Sequence, residues 1–484
     1  VTEYESVIGL ECHVELSTAT KMFCGCRNAF GAPPNTNVCP VCLGLPGSLP
    51  VPNEGAIASI VRIGLALDCT IAPDSMFHRK NYFYPDMPKD FQISQYDLPI
   101  CVGGHLDVDV DGSRRSIGIT RVHMEEDTGK TTHVGQSGRI GQADHALVDY
   151  NRAGVPLVEC VSEPDIRSPE EARAYLIELR ATLEALEVSD VRMEEGSLRC
   201  DANISTRERG STAFGNRVEI KNLNSIRSLE RALRFEEQRQ RAALDRGETI
   251  VQETRHFDEE RGTTLTLRSK EEAFDYRYFP EPDLPPLMPE PAWVDRIRGG
   301  LPELPAARRE RYVATLGLRA EVARLLTSSL ATSRFFEDVI GLGADPQAAA
   351  NWVTQDVAGA LNKARADLED TKLTPAHLAE LIALVADGTI SRSAAKQVLE
   401  EVVATGDAPV DVVERLGLRR VSDASALEAW IDEAIAENPG PVAQYRNGKD
   451  NALNAVVGAV MKRSRGSAEP QAVRALLVVR LARD

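Results

Sequence analysis

The segment Arg121-Val122-His123-Met124-Glu125-Glu126-Asp127-Thr128-Gly129-Lys130 sets three adjacent carboxylates beside an imidazole. Like charges in succession repel one another, so a fold that keeps them together must compensate them with water or a cation. Apolar-polar alternation through Ile117, Ile119, Arg121 and Val122 predicts a strand that delivers Glu125 to Asp127 to its end. A solvated acidic turn is the simpler alternative. Glu11 and Glu159 stand in similar strand-like settings, and that favours a shared cation site.

Two nearby patterns are set aside on spacing. Gly129-Lys130-Thr131 lacks the glycine that a P-loop carries five residues earlier, where Met124 stands. The run from Asp107 to Gly112 opens like an EF-hand, but Gly118 occupies the position of the bidentate glutamate. An Asp111-Gly112 hairpin turn between strands at 106–110 and 115–120 is the expectation there.

A chain of 484 residues holds roughly two to four domains. No apolar run approaches the ~20 residues that span a bilayer, and the acidic residues 1–5 do not resemble a secretory segment. Nine cysteines, four of them clustered, fit a reducing compartment with a metal site better than a disulfide framework. The expectation is a cytoplasmic protein. A net charge of −17 argues against indiscriminate nucleic-acid binding and leaves room for a local basic surface.

Residues 6–16 read as a strand, with Glu11, His13 and Glu15 on one face and Leu10, Cys12 and Val14 on the other. A carboxylate beside an imidazole supplies half of a metal or acid-base site; a face that simply meets water is the alternative. Cys24-Gly-Cys26 and Cys39-Pro-Val-Cys42 form a zinc knuckle with four thiolates in tetrahedral range. Such a site is closed, so its role is folding. Cys12, Cys69, Cys101, Cys160 and Cys200 are scattered and expected to be buried and inert.

An amphipathic helix is expected over 53–67. Residues 77–89 follow, rich in aromatics and prolines, and read as an ordered loop. Its Arg79, Lys80 and Lys89 are suited to gripping phosphates, and Tyr82 or Tyr84 to stacking; a loop packed by its aromatics is the alternative. Asn151-Arg-Ala-Gly154 reads as a turn before a short apolar strand carrying Glu159. Ser168-Pro-Glu-Glu171 is a capping box opening a helix with the stripe Leu176, Leu179, Leu183 and Leu186. Polar-tipped strands are expected at 194–203 and 218–225, and a second helix from Ser225 through Leu244.

Several of these segments, in this order, resemble a known family. Gly9-Leu-Glu-Cys-His-Val-Glu15, Arg79-Lys-Asn-Tyr-Phe-Tyr-Pro-Asp86, Gln92-Ile-Ser-Gln-Tyr-Asp97, His123 to Lys130, Asp149 to Leu157 and Tyr276-Arg-Tyr-Phe-Pro-Glu-Pro-Asp283 are similar to the B subunit of aspartyl/glutamyl-tRNA amidotransferases. Cys12 and Cys160 replace aliphatics, and Asp90 a glycine, without removing a polar group the chemistry uses. The resemblance implies a cradle fold without a Walker motif. It also implies ATP-dependent phosphorylation of the side-chain carboxyl of Glu-tRNA(Gln) or Asp-tRNA(Asn). Ammonia from a partner amidase (the glutaminase, or A subunit) then displaces phosphate, and a small third component, the C subunit, clasps the pair. Carried over residue by residue, Glu11, His13, Glu125 and Glu159 are ligands of Mg²⁺, with Glu126 beside them as a further catalytic carboxylate. Arg79, Lys80 and Lys89 are the candidates for the ATP phosphates, with Lys130 an alternate. The imidazole leaves room for manganese.

Beyond the proline-rich stretch 281–291 the chain becomes helical and rich in alanine, leucine and arginine, with a second break near 406–409. From Pro441 onward eight cations face three carboxylates, a basic patch suited to a phosphate backbone. Arg446, Lys449, Lys462, Arg463 and Arg465 are the candidates for tRNA, in a segment that resembles the family's tail domain; a solvated helical face is the alternative.

The expectation is therefore an α+β protein. A mixed-sheet cradle over 1–292 carries the zinc insert at 24–42, followed by a helical domain over 293–405 and a small helical tail over 406–484. A non-catalytic zinc-knuckle adaptor that binds tRNA is the competing reading. Converging carboxylates separate the two, since an adaptor has no use for charges that repel RNA.

Overall fold

The computed structural model describes residues 3–135, 143–269, 276–420, 424–464, 468 and 470–482. The chain divides into two compact units, 1–305 and 306–484.

The first unit is built on a 13-stranded sheet. The strand Tyr4–Glu15 lies at its centre, antiparallel to Pro156–Ser162 on one side and to Leu198–Glu208 on the other. Beyond Pro156–Ser162 come Ser113–Glu126, Phe91–Ser94, His78–Asn81 and Phe279–Pro280. Beyond Leu198–Glu208 come Val218–Leu223, Glu253–Asp258 and Thr263–Ser269. Val218–Leu223 and Glu253–Asp258 run parallel, which requires a crossover, and the helix Ile226–Asp245 supplies it. Asp111 and Gly112 both have positive φ and turn His105–Val110 into Ser113–Glu126, as the Asp-Gly pair predicts.

Period-two alternation gives the sheet two unlike faces. Leu10, Cys12, Val14, Val122, Met124, Val158, Cys160, Cys200 and Ala202 point to one side and are buried there in one core. The helices Glu54–Ala66, Pro169–Ala185 and Ile226–Asp245 contribute to that core. The stripe Leu176, Leu179, Leu183 and Leu186 is fully buried, each side chain contributing about 1.5–3 kcal/mol. Ser168 caps the second helix by accepting from the Glu171 N–H, while the Glu171 carboxylate accepts from the Arg167 N–H, one residue earlier than in an ideal capping box. Ser225 caps the third helix in the same way.

Two expectations change. His78–Asn81 is a strand between Phe91–Ser94 and Phe279–Pro280, not a loop. A His-Arg-Lys-Asn run carries no apolar alternation, so its pairing is invisible in the sequence. The helix Pro291–Gly299 packs Trp293, Val294 and Ile297 against the sheet core, which carries the first unit past the proline-rich stretch.

The second unit is helical, with two separate apolar clusters among its described residues: Tyr312 to Leu418, and Leu427 to Leu481. The stretch 406–409 joins two helices of the first cluster, with Gly406 in the left-handed region that ends Arg392–Thr405. No described helix is long and apolar enough to cross a membrane.

Candidate active site

The other face of the sheet carries the polar residues. Register sets them in a row: Asp201 pairs with Glu11, His13 with Glu159, Glu159 with His123, and Glu125 with Ser94. Ligand atoms of His13, Glu125 and Glu159 all lie within 4.8 Å of one another. His13 Nε2 is 3.5 Å from Glu159 Oε2. His123 Nε2 lies 3.3 Å from Glu125 and 3.4 Å from Glu159. Arg121 Nε lies 3.4 Å from His123 Nδ1, on the ring side away from the two carboxylates that Nε2 faces. His123 therefore holds both oxygens in place. Gln92 and Ser94 donate to the two oxygens of Glu125, each at 3.0 Å.

Burial works against charge here, and the neighbours overcome it. Burial would raise Glu125, but Lys80 and then His123 hold it down at about 2. Burial would lower His123, but its bonds to Glu125 and Glu159 lift it to about 9. Lys80 is likewise raised against burial, chiefly by Glu125. Glu159 stays well below the usual carboxylate range despite burial, through His123 and His13. Glu11 stands at the margin of the cluster. It accepts from Asn203 Nδ2 at 3.0 Å, and burial, then Glu159, Glu219 and Asp201, push its carboxyl up.

The other expected residues are not equivalent. Glu126 points to the opposite side of its strand from Glu125, where it pairs with Lys89 and accepts from the Ile93 N–H at 2.8 Å. Arg79 forms a two-pronged pair with Glu281 at 2.7 and 2.9 Å, reaches Asp283 at 3.2 Å and lies over the Phe91 ring. Of the three basic candidates for phosphate, Lys80 is the one facing the cluster, its ammonium 5.1 Å from the centre of the Tyr276 ring. Lys130 lies on the separate two-stranded sheet, exposed.

The sequence places His123 and Asp127 in the acidic segment without giving either a role, and does not point to Gln92, Ser94 or the pairing of Asp127 with Arg199 at 2.6 Å. Period two from His123 through Glu125 to Asp127 was the available signal for those two. Gln92 and Ser94 depend on a strand register that the sequence does not print.

The sulfurs of Cys24, Cys26, Cys39 and Cys42 also fall within 4.8 Å of one another. Cys39 and Cys42 are 3.9 Å apart, close to the ~3.8 Å edge of a tetrahedron with 2.3 Å bonds. The Cys24 thiol, the Cys39 N–H and the fully buried Lys21 ammonium draw Cys42 down to about 5. Lys21, which the sequence did not flag, offsets thiolate charge, donating also to the carbonyls of Asn37 and Tyr150.

In the tail, Arg463 pairs with Glu433 and Glu437, and Arg480 with Asp432. The basic count from Pro441 omitted the preceding helix Ala424–Glu437, whose carboxylates neutralise part of it. Lys449 and Lys462 are exposed, and Arg446 is engaged within the protein. Arg465 lies outside the described residues.

Residues 6–295 match the family described as the GatB/GatE catalytic domain, and residues 334–481 the one described as the GatB domain. In Frankia casuarinae, the B subunit of the aspartyl/glutamyl-tRNA(Asn/Gln) amidotransferase is 56% identical over 99% of this chain and 96% of its own length. Its counterpart in Moorella thermoacetica is 53% identical over 99% and 100%, and that of Anaeromyxobacter sp. 53% over 99% and 98%.

Proposed function

The chain belongs to the family of aspartyl/glutamyl-tRNA(Asn/Gln) amidotransferase B subunits, and from that premise we propose that its polar sheet face phosphorylates the side-chain carboxyl of Glu-tRNA(Gln) or Asp-tRNA(Asn), with ATP as donor. The observation that carries this reading is the convergence of His13, Glu125 and Glu159, with Lys80 beside them, on one face of one sheet. A carboxylate resists attack because its charge repels a nucleophile and oxide leaves poorly. Phosphorylation removes both defects, after which ammonia forms the amide and phosphate departs.

Two carboxylates and an imidazole fit a divalent cation. Their ligand atoms lie within 4.8 Å of one another, with His13 Nε2 3.5 Å from Glu159 Oε2, on the scale of the ~4.2 Å between opposite ligands of a cation with 2.1 Å bonds. Glu125, Glu159 and His13 would hold Mg²⁺, with Glu11 at the margin; when bound, the ion neutralises phosphoryl oxygens. Lys80 contributes a fixed positive charge near the moving group, and Gln92, Ser94 and His123 keep the carboxylate oxygens aimed. Glu126, paired with Lys89, supports the adjoining backbone through Ile93. Arg79 acts through Glu281 by fixing the edge strand rather than by meeting phosphate.

The four cysteines would hold Zn²⁺ as a closed structural site. A glutamine-hydrolysing amidase, the A subunit, supplies the ammonia, a small C subunit completes the complex, and the tail meets tRNA away from the acceptor end. The compartment is the cytoplasm. The carboxylate convergence weighs against the adaptor reading.

The test uses the assembled complex with Glu-tRNA(Gln) and Mg²⁺, glutamine omitted. Wild type should hydrolyse ATP only when charged tRNA is present, and Glu125→Gln should lose at least a hundredfold in rate while still binding tRNA. Equal rates in the two would make the carboxylates structural and put the adaptor reading first.

A further inference from the structure

The row of side chains that crosses the sheet at the cluster does not end at His13. Register carries it one strand further, from His123 through Glu159 and His13 to Arg199, which stands directly opposite His13 in the antiparallel pair. Residues opposed in this way project from the same face. Arg199 is thus the last member of that row and its one permanent cation. Lys80 meets the same carboxylates from the other side, on a strand three places beyond that of Glu159.

The Arg199 guanidinium is fixed at one end and open at the other. Its Nη2 donates to Asp127 Oδ2 at 2.6 Å. Asp127 is buried and locked in turn: its Oδ1 accepts from the Thr128 N–H at 2.8 Å, and Arg152 Nε lies 3.7 Å from its Oδ2. Arg152 is held by the carbonyls of Thr128 and Gly129, at 3.0 and 3.1 Å. Glu15, on the same face, hydrogen-bonds to Asp127, and among the described residues Arg199 pairs with Asp127 alone. Two donor groups are left over. The Arg199 Nε–H is buried without an acceptor. Nη1 makes no hydrogen bond among the described residues, on a side chain that is 38% exposed. Buried donors are met in all but a few cases, so an unmet one beside this cluster marks a place where a ligand supplies the acceptor.

Phosphoryl transfer to a carboxylate brings two anions together, donor and acceptor, roughly in line across the phosphorus. Each has to be held against the repulsion of the other. An ammonium serves phosphoryl oxygens as a point charge, whereas the planar fork of a guanidinium matches a planar carboxylate. We propose that Arg199 binds the side-chain carboxylate of the aminoacyl group, and that Asp127 positions Arg199 for it. The assignment rests on the kinase reading above and adds to it the residue that holds the acceptor. In the transfer, a carboxylate oxygen forms the new bond to the γ-phosphorus. The bond to the bridging oxygen breaks, its electron pair leaves on ADP, and Arg199 keeps its protons. Lys80, across the cluster, then attends the phosphoryl oxygens, so the two cations divide donor from acceptor.

The experiment compares wild type, Arg199→Lys and Arg199→Met in the assembled complex with Mg²⁺. It measures kcat/KM for Glu-tRNA(Gln), KM for ATP at saturating charged tRNA, and Kd for uncharged tRNA(Gln). Both replacements should lower kcat/KM for Glu-tRNA(Gln) roughly ten- to hundredfold, the effect of losing a hydrogen bond to a charged group, with Arg199→Lys the milder. KM for ATP and Kd for uncharged tRNA(Gln) should stay within twofold, a split that a general loosening of the site would not produce. Arg199→Lys keeps the charge and decides the question if Arg199→Met does not assemble. An unchanged kcat/KM for Glu-tRNA(Gln) overturns the proposal, as does weakened binding of uncharged tRNA. A rise in KM for ATP also overturns it and gives Arg199 to the phosphates. A wild-type complex that consumes no ATP with Glu-tRNA(Gln) fails the kinase reading instead, before any variant is compared.

Discussion

His123 sits between two carboxylates, 3.3 Å from Glu125 and 3.4 Å from Glu159, and is not one of the expected ligands His13, Glu125 and Glu159. A buried imidazole that donates to two would-be metal ligands fixes their geometry, and outer partners of this kind are typically worth 10–100-fold in metal affinity. His123→Ala should therefore raise the Mg²⁺ concentration that half-saturates ATP hydrolysis by about that factor. An unchanged Mg²⁺ dependence would reduce His123 to packing. Lys80 differs in kind, since its ammonium faces the carboxylates and is held charged by Glu125. Arg79 looked equivalent in the sequence and is not, because adjacent residues of one strand project to opposite faces. The Arg79-Lys80 dipeptide announced two cations; only the strand assignment says which one meets the site.

The four-cysteine insert and the helices illustrate what patterns at the level of elements can reveal. Cys-x-Cys and Cys-x-x-Cys spacing, the Ser168 cap and the leucine stripe are local, so their geometry could be read before any fold was known. The polar strands could not. His78–Asn81 and Phe91–Ser94 hold Lys80, Gln92 and Ser94 in register; the first carries no apolar alternation, and the second alternates over only four residues, too few to fix its partner strand. Leu179→Ala should destabilise the first unit by about 2–5 kcal/mol, measured by urea unfolding of the complex, because the residue is fully buried in the stripe. Lys21→Met should speed zinc release to a chelator, since it removes a buried cation beside Cys42 while keeping the side chain's bulk. Equal release rates would mean that the ammonium serves only the two carbonyls.

Across the whole molecule, a chain of net charge −17 must present phosphate-binding surfaces locally. Counting charges from Pro441 located a basic tail but overstated its freedom, because Asp432, Glu433 and Glu437 come from a helix just upstream. Exposed Lys449 and Lys462 should thus matter more for tRNA than Arg463. Their combined replacement by alanine should weaken tRNA binding and reduce the salt slope by about 1.4, at ~0.7 for each single-strand contact or somewhat more on a duplex. Arg463→Ala should change it by less, and a reversed order would show that the Glu433 and Glu437 pairs open on binding. The chemistry proposed for the whole complex fixes the route of one oxygen atom. If the side-chain carboxyl is phosphorylated before ammonia attacks, an oxygen of that carboxyl leaves with the phosphate. Glu-tRNA(Gln) labelled with ¹⁸O in its side-chain carboxyl should therefore yield inorganic phosphate carrying one ¹⁸O per amide formed, read by mass spectrometry. Unlabelled phosphate beside a normal yield of Gln-tRNA(Gln) would contradict an acyl-phosphate route and with it the role given to His13, Glu125 and Glu159.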